Sequence, residues 1–209
     1  SDSWEDFYSY SNVKDFVKVD DVIYALADNA VYIYNTTTEQ INKFSSVQGL
    51  SGETTKSIHY SKTFQRLIIG YENGLLEVVD NDGSITISSD IVNFNQFGRK
   101  SINHIKEFNN KLYLSLPFGI VVYDIEKLEF GDTYFIGNNS SSLEVNQIEV
   151  LNGFIYAATD VGLFKADVTS NLLIDFNNWQ AQFSPQNFSQ IAIFKNQLYL
   201  VNGSDLFQL

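Results

Sequence analysis

The 209-residue sequence contains no cysteine, only two prolines and only two histidines, and it is poor in positive charge. The absence of cysteine excludes catalysis through a thiol, but it leaves the redox compartment open, because secreted proteins can also lack disulfides. With 13 Lys and Arg residues against 25 Asp and Glu residues, the net charge is −12. This charge argues against binding nucleic acid or an anionic membrane through bulk electrostatics.

The chain also lacks any apolar run near the ~20 residues that a membrane-spanning helix requires. Its first residues, Ser1–Trp4, do not resemble a signal peptide, so we expect any targeting segment to have been removed. There is no Gly-x-Ser-x-Gly elbow and no phosphate-binding loop, so we expect no enzymatic activity and no cofactor. A hydrophobic content of 44% with 15% aromatic residues nevertheless indicates a folded protein.

A pattern of two short apolar strands joined by a tight turn occurs five times. The first strand of each pair begins at residue 23, 67, 112, 155 or 198, and Tyr takes the second place in four of the five. The turns are rich in Asp, Asn and Gly, which tolerate the positive φ of hairpin turns. One further strand precedes each hairpin. Fainter fourth strands are predicted at Ile41–Phe44, Ile85–Ser88, Asp132–Ile136 and Trp179–Phe183.

Four antiparallel strands per period of about 43 residues are typical of a β-propeller blade. We therefore predict an all-β protein, a β-propeller of four-stranded antiparallel blades, and not a β-sandwich, which usually lacks so regular a spacing. The prediction is one domain over 1–209. Its repeats are assigned to 13–53, 54–100, 101–144, 145–188 and 189–209.

The last repeat ends after three strands, and the N-terminus supplies a candidate for the fourth. Trp4 precedes Phe16 by twelve residues, just as Trp179 precedes Ile191, so residues 4–10 are predicted to close the last blade. Such closure would remove an exposed sheet edge. The alternative is that the five blades belong to a larger ring.

Two stretches, Trp4–Asp15 and Gly49–Tyr60 with the following Leu67–Gly74, resemble PorZ-type proteins of the bacterial type IX secretion system. The resemblance implies an exported protein of the cell surface or periplasm, with β-propeller domains and a C-terminal sorting sandwich. This chain would be its N-terminal propeller region. The resemblance also implies partners among the other secretion-system proteins and an anionic lipopolysaccharide. Related Gly-Leu-Ser-Gly repeats occur in the sensor propellers of hybrid two-component regulators.

Few side chains stand out as ligand-binding candidates. Arg99 and Lys100 form the densest positive spot on an acidic chain, and Arg can hold a glycan or phosphate through a two-pronged contact. In a propeller, their loop and the hairpin loop with Glu72 and Asn73 are expected on one face. Trp179 is a candidate for stacking on a sugar, although outer strands more often use such rings to cover a blade edge.

Metal binding has little support in the sequence. His59 and His104 lie in first strands of adjacent repeats, but a metal site needs further ligands, so we expect none. The acidic stretch Asp80–Ser84 has its glycine fourth, where a calcium loop has it sixth, and we interpret it as a hairpin turn.

These observations favour a non-enzymatic scaffold that binds a partner protein or a surface lipopolysaccharide as part of the secretion machinery. The alternative is a periplasmic carbohydrate-sensing propeller of a hybrid two-component regulator. The two interpretations differ in the domain expected after residue 209. A sensor needs a transmembrane helix and a kinase, whereas a secretion component needs a β-sandwich sorting domain.

Overall fold

The computed structural model describes residues 10–209 of the chain. These residues form an all-β protein with the β-propeller fold, in which five antiparallel sheets correspond to five blades. Four of the described sheets have four strands and the last has three. The predicted fold class is confirmed. The chain divides into two compact units, Ser1–Ile102 and Asn103–Leu209, which are described in turn.

The first unit contains two blades whose strands pair in chain order. The strands of its first blade are β1 (Asp15–Val19), β2 (Val22–Leu26), β3 (Val31–Asn35) and β4 (Ile41–Phe44). Those of its second blade are β5 (Thr55–Ser61), β6 (Arg66–Tyr71), β7 (Leu76–Val79) and β8 (Ile85–Ser88). A 3-10 turn at Ser46–Gln48 follows β4, and a short helix, α1 (Asp90–Asn93), follows β8.

The second unit contains three blades, also paired in chain order. The strands of the third blade are β9 (His104–Phe108), β10 (Lys111–Leu116), β11 (Gly119–Asp124) and β12 (Glu129–Tyr134). Those of the fourth are β13 (Val145–Leu151), β14 (Phe154–Thr159), β15 (Leu163–Asp167) and β16 (Gln180–Gln182). Those of the fifth are β17 (Gln190–Phe194), β18 (Gln197–Asn202) and β19 (Asp205–Gln208). Two 3-10 turns lie at Asn138–Ser140 and Phe176–Asn178.

The apolar strands of the repeat face the neighbouring blade. In the first unit, Leu26 of β2 and Ile69 of β6 belong to one buried cluster that joins the two blades. In the second unit, Ile120 of β11 and Ile155 of β14 belong to a cluster that joins the third and fourth blades. Burial of apolar area between sheets is the main stabilising contribution in such a fold, which explains why the pattern recurs.

The fourth strands differ in how well they were predicted. The bounds of β4 and β8 agree with the prediction. Strand β12 begins three residues earlier than predicted, at Glu129, because a register shift opposite Val121–Tyr123 lets the start of the strand pair with β11. Strand β16 is shorter than predicted, since Trp179 belongs to the preceding loop.

The predicted closing strand at Trp4–Tyr10 lies, apart from Tyr10, outside the described residues. The ring of Tyr10 lies 6.2 Å from that of Tyr32 in β3. The assignment of 1–209 to a single domain, its repeat boundaries and the number of blades in the complete ring therefore stay predictions.

Ser115 in β10 offers a test of the packing. It is fully buried, and within residues 10–209 its hydroxyl has no hydrogen-bond partner. Because an unpaired buried hydroxyl is destabilising, Ser115→Ala should raise the free energy of unfolding by about 1 kcal/mol. Chemical denaturation followed by circular dichroism would measure it. Ser57→Ala is the matched control and should lower stability, since the Ser57 hydroxyl donates to the Ile102 carbonyl at 2.7 Å. A less stable Ser115→Ala variant would contradict the prediction.

Candidate functional site

The turn between β6 and β7 presents two of the predicted site residues to solvent. The Asn73 side-chain oxygen accepts the Leu75 N–H at 3.0 Å, and the Gly74 N–H donates to the Tyr71 carbonyl at 3.2 Å. Gly74 has φ of +91°, a conformation that favours glycine. The turn is thus fixed by its own hydrogen bonds, and Glu72 and Asn73 stand exposed at its tip.

Lys100 packs directly against this turn. A Cβ atom at Gly74 would lie only 3.0 Å from the Lys100 carbonyl oxygen, so the two segments are in close contact. The Lys100 ammonium donates to the Val92 carbonyl at 2.6 Å and to the Phe94 carbonyl at 2.7 Å, at the end of α1. Lys100 therefore holds its loop in place, and its donors are directed at the backbone of the protein.

The loop that leads from α1 to Lys100 carries several exposed side chains, among them Phe97 and Arg99. Arg99 is exposed, as the sequence led us to expect. Phe97, for which the sequence pattern indicated no role, is 97% exposed. We call Glu72, Asn73, Phe97 and Arg99 the loop platform. A solvated aromatic ring close in sequence to an arginine is the composition that protein interfaces favour.

The charges around Glu72 are largely compensated. Lys14 lies 3.8 Å from a Glu72 carboxylate oxygen and 3.3 Å from Asp28 Oδ1, and its ammonium donates to the Thr55 carbonyl at 3.0 Å. The positive charge of Lys14 is therefore matched by two carboxylates. With Lys100 engaged by backbone carbonyls, the loop platform presents no cluster of cations.

Trp179 lies in the other unit, within its core. The residue is 6% exposed, belongs to the cluster between the third and fourth blades, and donates its indole N–H to the Leu173 carbonyl at 2.9 Å. Its rings are covered by protein, so we leave Trp179 out of the proposed binding surface.

The Gly-Leu-Ser-Gly stretch is anchored by Glu77, whose role the sequence pattern did not indicate. Glu77 is fully buried in β7, and its carboxyl group accepts the Ser51 N–H at 2.9 Å and the Tyr71 hydroxyl. Burial and the neighbouring Glu77 raise the pKa of Tyr71, so its hydroxyl stays protonated and donates. In the sequence, the feature that could have identified this buried acceptor is the single acidic residue within the otherwise apolar run Leu75–Val79.

Neither metal ligation nor a membrane span is evident in the described part of the chain. Residues 10–209 contain no group of three or more His, Asp or Glu side chains placed to hold a metal ion. His104 accepts the Ile148 N–H at 3.4 Å through Nδ1. Among the same residues, none of the helices has the length and hydropathy to cross a membrane.

Comparison with known proteins identifies the family. The family model of the PorZ N-terminal β-propeller domain of the type IX secretion system matches residues 23–180, well over half of the chain. The chain belongs to this family. Among curated proteins, no sequence matches that of the chain.

Solved structures share the family's fold. The structure of PorZ, an essential surface component of the type IX secretion system of Porphyromonas gingivalis, superposes with a TM-score of 0.83 at 20% identity, over 100% of this chain and 28% of that one. The extracellular domain of a putative one-component system of Bacteroides thetaiotaomicron superposes with a TM-score of 0.73 at 14% identity, over 98% of this chain and 28% of that one. The extracellular domain of a putative hybrid two-component system of the same organism superposes with a TM-score of 0.70 at 14% identity, over 93% of this chain and 26% of that one.

The chain thus spans little more than a quarter of the length of these structures. At such identities the superpositions show the shared fold, and membership of the PorZ family rests on the sequence match.

Proposed function

We propose that the chain is a non-catalytic binding domain of an exported component of the type IX secretion system, and that its loop platform docks a partner protein of that machinery. Family membership supports the association with this system. The described blades supply a stiff frame on which exposed loops can vary, which is the usual arrangement in binding modules.

The observation that carries the choice of a protein partner is Phe97. An aromatic side chain that is 97% exposed contributes favourable free energy when a partner covers it. Arg99, two residues further on, can add a charge-assisted hydrogen bond at the rim of the same contact. The ordered turn with Glu72 and Asn73 supplies a polar border that needs little further ordering on binding.

A lipopolysaccharide is the second candidate ligand, supported by the family and by Arg99. The structure supports lipopolysaccharide binding less strongly, because the ammonium groups of Lys14 and Lys100 already contact carboxylates and backbone carbonyls. The net charge of −12 also repels a polyanion at long range. At the platform, Arg99 is the exposed cation that a polysaccharide would contact.

The experiment compares two platform variants of the full-length protein, Phe97→Ser and Arg99→Glu. We expect both to lose one defined secretion-system protein from affinity-purified complexes and to reduce export of cargo, at unchanged cellular abundance. The controls are Phe16→Ser, which removes an exposed aromatic ring from β1, and Lys56→Glu, which reverses the charge of an exposed residue in β5. Identical complexes from all four variants would refute the platform.

Calorimetric titration with purified anionic lipopolysaccharide separates the two ligands. Under the protein-partner proposal, Phe97→Ser leaves the lipopolysaccharide affinity unchanged. If Arg99→Glu instead weakens lipopolysaccharide binding about tenfold or more while the protein complex persists, the platform is a polysaccharide site. If Arg99→Glu changes the result of neither assay, Arg99 is not part of the site.

The sensing alternative rests on the shared fold with extracellular domains of one- and two-component systems. It requires a transmembrane helix and a signalling domain encoded after residue 209. The full reading frame distinguishes it from the proposed function, which requires a sorting domain there. A non-catalytic role further predicts that incubation with polysaccharides releases no new reducing ends.

A further inference from the structure

The loop between β15 and β16 is much longer than its counterparts. It runs from residue 168 to 179, whereas the equivalent connection between β11 and β12 covers only residues 125 to 128. In compact domains most connections cover about 4–6 residues, so this loop is at least twice the usual length. The fourth blade therefore carries an extra segment that its repeat neighbours lack.

This long loop is firmly held. Leu173, in the middle of the loop, is buried, and the indole of Trp179 donates to the Leu173 carbonyl. The Asn178 side chain donates to the Leu172 carbonyl at 3.0 Å, and the Asp175 carboxylate accepts the Asn177 N–H at 2.9 Å. These bonds fix the backbone, so the surface it presents is formed before any ligand arrives.

A cleft of about 440 Å³ lies between this loop and the third blade. Its volume is within the range of small-molecule sites. The walls are the turn between β9 and β10, strands β10 and β12, and the start of the long loop. The residues that decide its chemistry are Phe108, Asn109, Lys111, Tyr113, Asp132 and Tyr134, with Asn171 from the loop.

Three polar side chains that line the cleft, Lys111, Asp132 and Asn171, are exposed, and Lys111 also interacts electrostatically with Asp124. Within the described residues, Lys111, Asp132 and Asn171 make neither a side-chain hydrogen bond nor an ion pair. Together they offer an ammonium donor, a carboxylate acceptor and an amide that both donates and accepts. Groups that can serve in both roles suit a ligand that carries many hydroxyls.

The tyrosines and apolar residues form the inner surface of the cleft. Burial raises the pKa of Tyr113, and burial together with Tyr113 and Asp132 raises that of Tyr134 to about 12, so both phenols stay neutral near pH 7. Phe108 and Leu173 add apolar surface against which the C–H groups of a sugar ring can pack.

The charge of the cleft is balanced. Lys111 and Asp132 are the charged side chains among its lining residues and their formal charges sum to zero, while the other polar groups are amides and hydroxyls. The chain as a whole carries −12, which repels polyanions. We infer that this cleft binds a short, uncharged oligosaccharide. The cleft and the loop platform share no residue, so either proposal can fail without the other.

The test is calorimetric titration of the 209-residue chain with four neutral trisaccharides (maltotriose, cellotriose, mannotriose and chitotriose) and with acidic trigalacturonate. We expect saturable binding of at least one neutral probe and no competition from trigalacturonate. Asp132→Ala and Asn171→Ala should each weaken that binding about tenfold, because each removes direct hydrogen bonds. Glu129→Ala, an exposed carboxylate on the same strand β12, is the matched control and should bind as the wild type does.

Three results would overturn the inference. The first is that no neutral trisaccharide binds. The second is that one binds but the Asp132 and Asn171 variants retain full affinity, which places the sugar elsewhere. The third is that trigalacturonate alone binds, which makes the ligand acidic. Both variants lie on exposed positions, so their melting temperatures should match that of the wild type and confirm that folding is intact.

Discussion

Glu77→Leu should lower the free energy of unfolding by about 2–5 kcal/mol, because it leaves two donors buried without an acceptor. The Ser51 N–H and the Tyr71 hydroxyl both donate to the Glu77 carboxyl group, which is fully buried. Leucine fills a similar volume, so the loss would reflect the missing acceptor and not a cavity. Urea denaturation followed by tryptophan fluorescence and circular dichroism would measure the change.

Two further variants separate the hydrogen bonds from the packing. Glu77→Gln keeps an acceptor oxygen and should cost clearly less than Glu77→Leu. Tyr71→Phe removes one of the two donors, so the double variant Tyr71→Phe/Glu77→Leu should be less destabilised than the sum of the single changes. Strict additivity would show that Tyr71 and Glu77 are not coupled.

Trp179→Ala should destabilise the protein by about 3–5 kcal/mol, the usual cost of deleting a large aromatic side chain from a core. The indole contributes to the buried cluster between the third and fourth blades and anchors the long loop through Leu173. Differential scanning calorimetry would show the loss as a large fall in melting temperature. Near-native stability of Trp179→Ala would mean that the ring is not a core element.

Trp179→Phe is the control for this change. It keeps most of the apolar ring and loses only the N–H that bonds to the Leu173 carbonyl, so it should cost far less than alanine. Because the long loop forms one wall of the cleft, Trp179→Phe should weaken trisaccharide binding indirectly while the fold persists. Phe154→Ala, which removes a more exposed ring from the same blade, should cost less stability than Trp179→Ala.

The loop platform shows how far sequence reasoning extends to a site. The spacing of the repeats predicted that the turn with Glu72 and Asn73 and the loop with Arg99 and Lys100 lie on one face of the propeller. The structure places Lys100 against Gly74, while ligand binding by these residues stays a prediction. The sequence could not predict the role of Lys100. A lysine in a loop gives the same sequence pattern whether its ammonium is solvated or donates to two backbone carbonyls.

Phe97 and Trp179 illustrate the same limit for aromatic residues. Both occur in loops of mixed polarity, yet one is 97% exposed and the other 6%. Exposure depends on which residues distant in the chain cover a ring, and local composition carries no information about them. Glu77 was missed for the opposite reason, since an acidic residue in a strand is usually solvated and its two donors come from residues 51 and 71.

The sequence alone determined the class of fold, the order of the strands and most hairpin positions. It could do so because strand alternation and turn chemistry are local properties repeated every 43 to 45 residues. Only the tertiary structure decided which side chains remain open to ligands. It buried Trp179, committed Lys100 to its own loop and brought the turn after β9 against the long loop after β15 to form the cleft. The hydrogen bonds of Trp179 and Lys100 span only six to eight residues, but the burial of Trp179 and the walls of the cleft involve residues tens of positions apart, which no local pattern encodes.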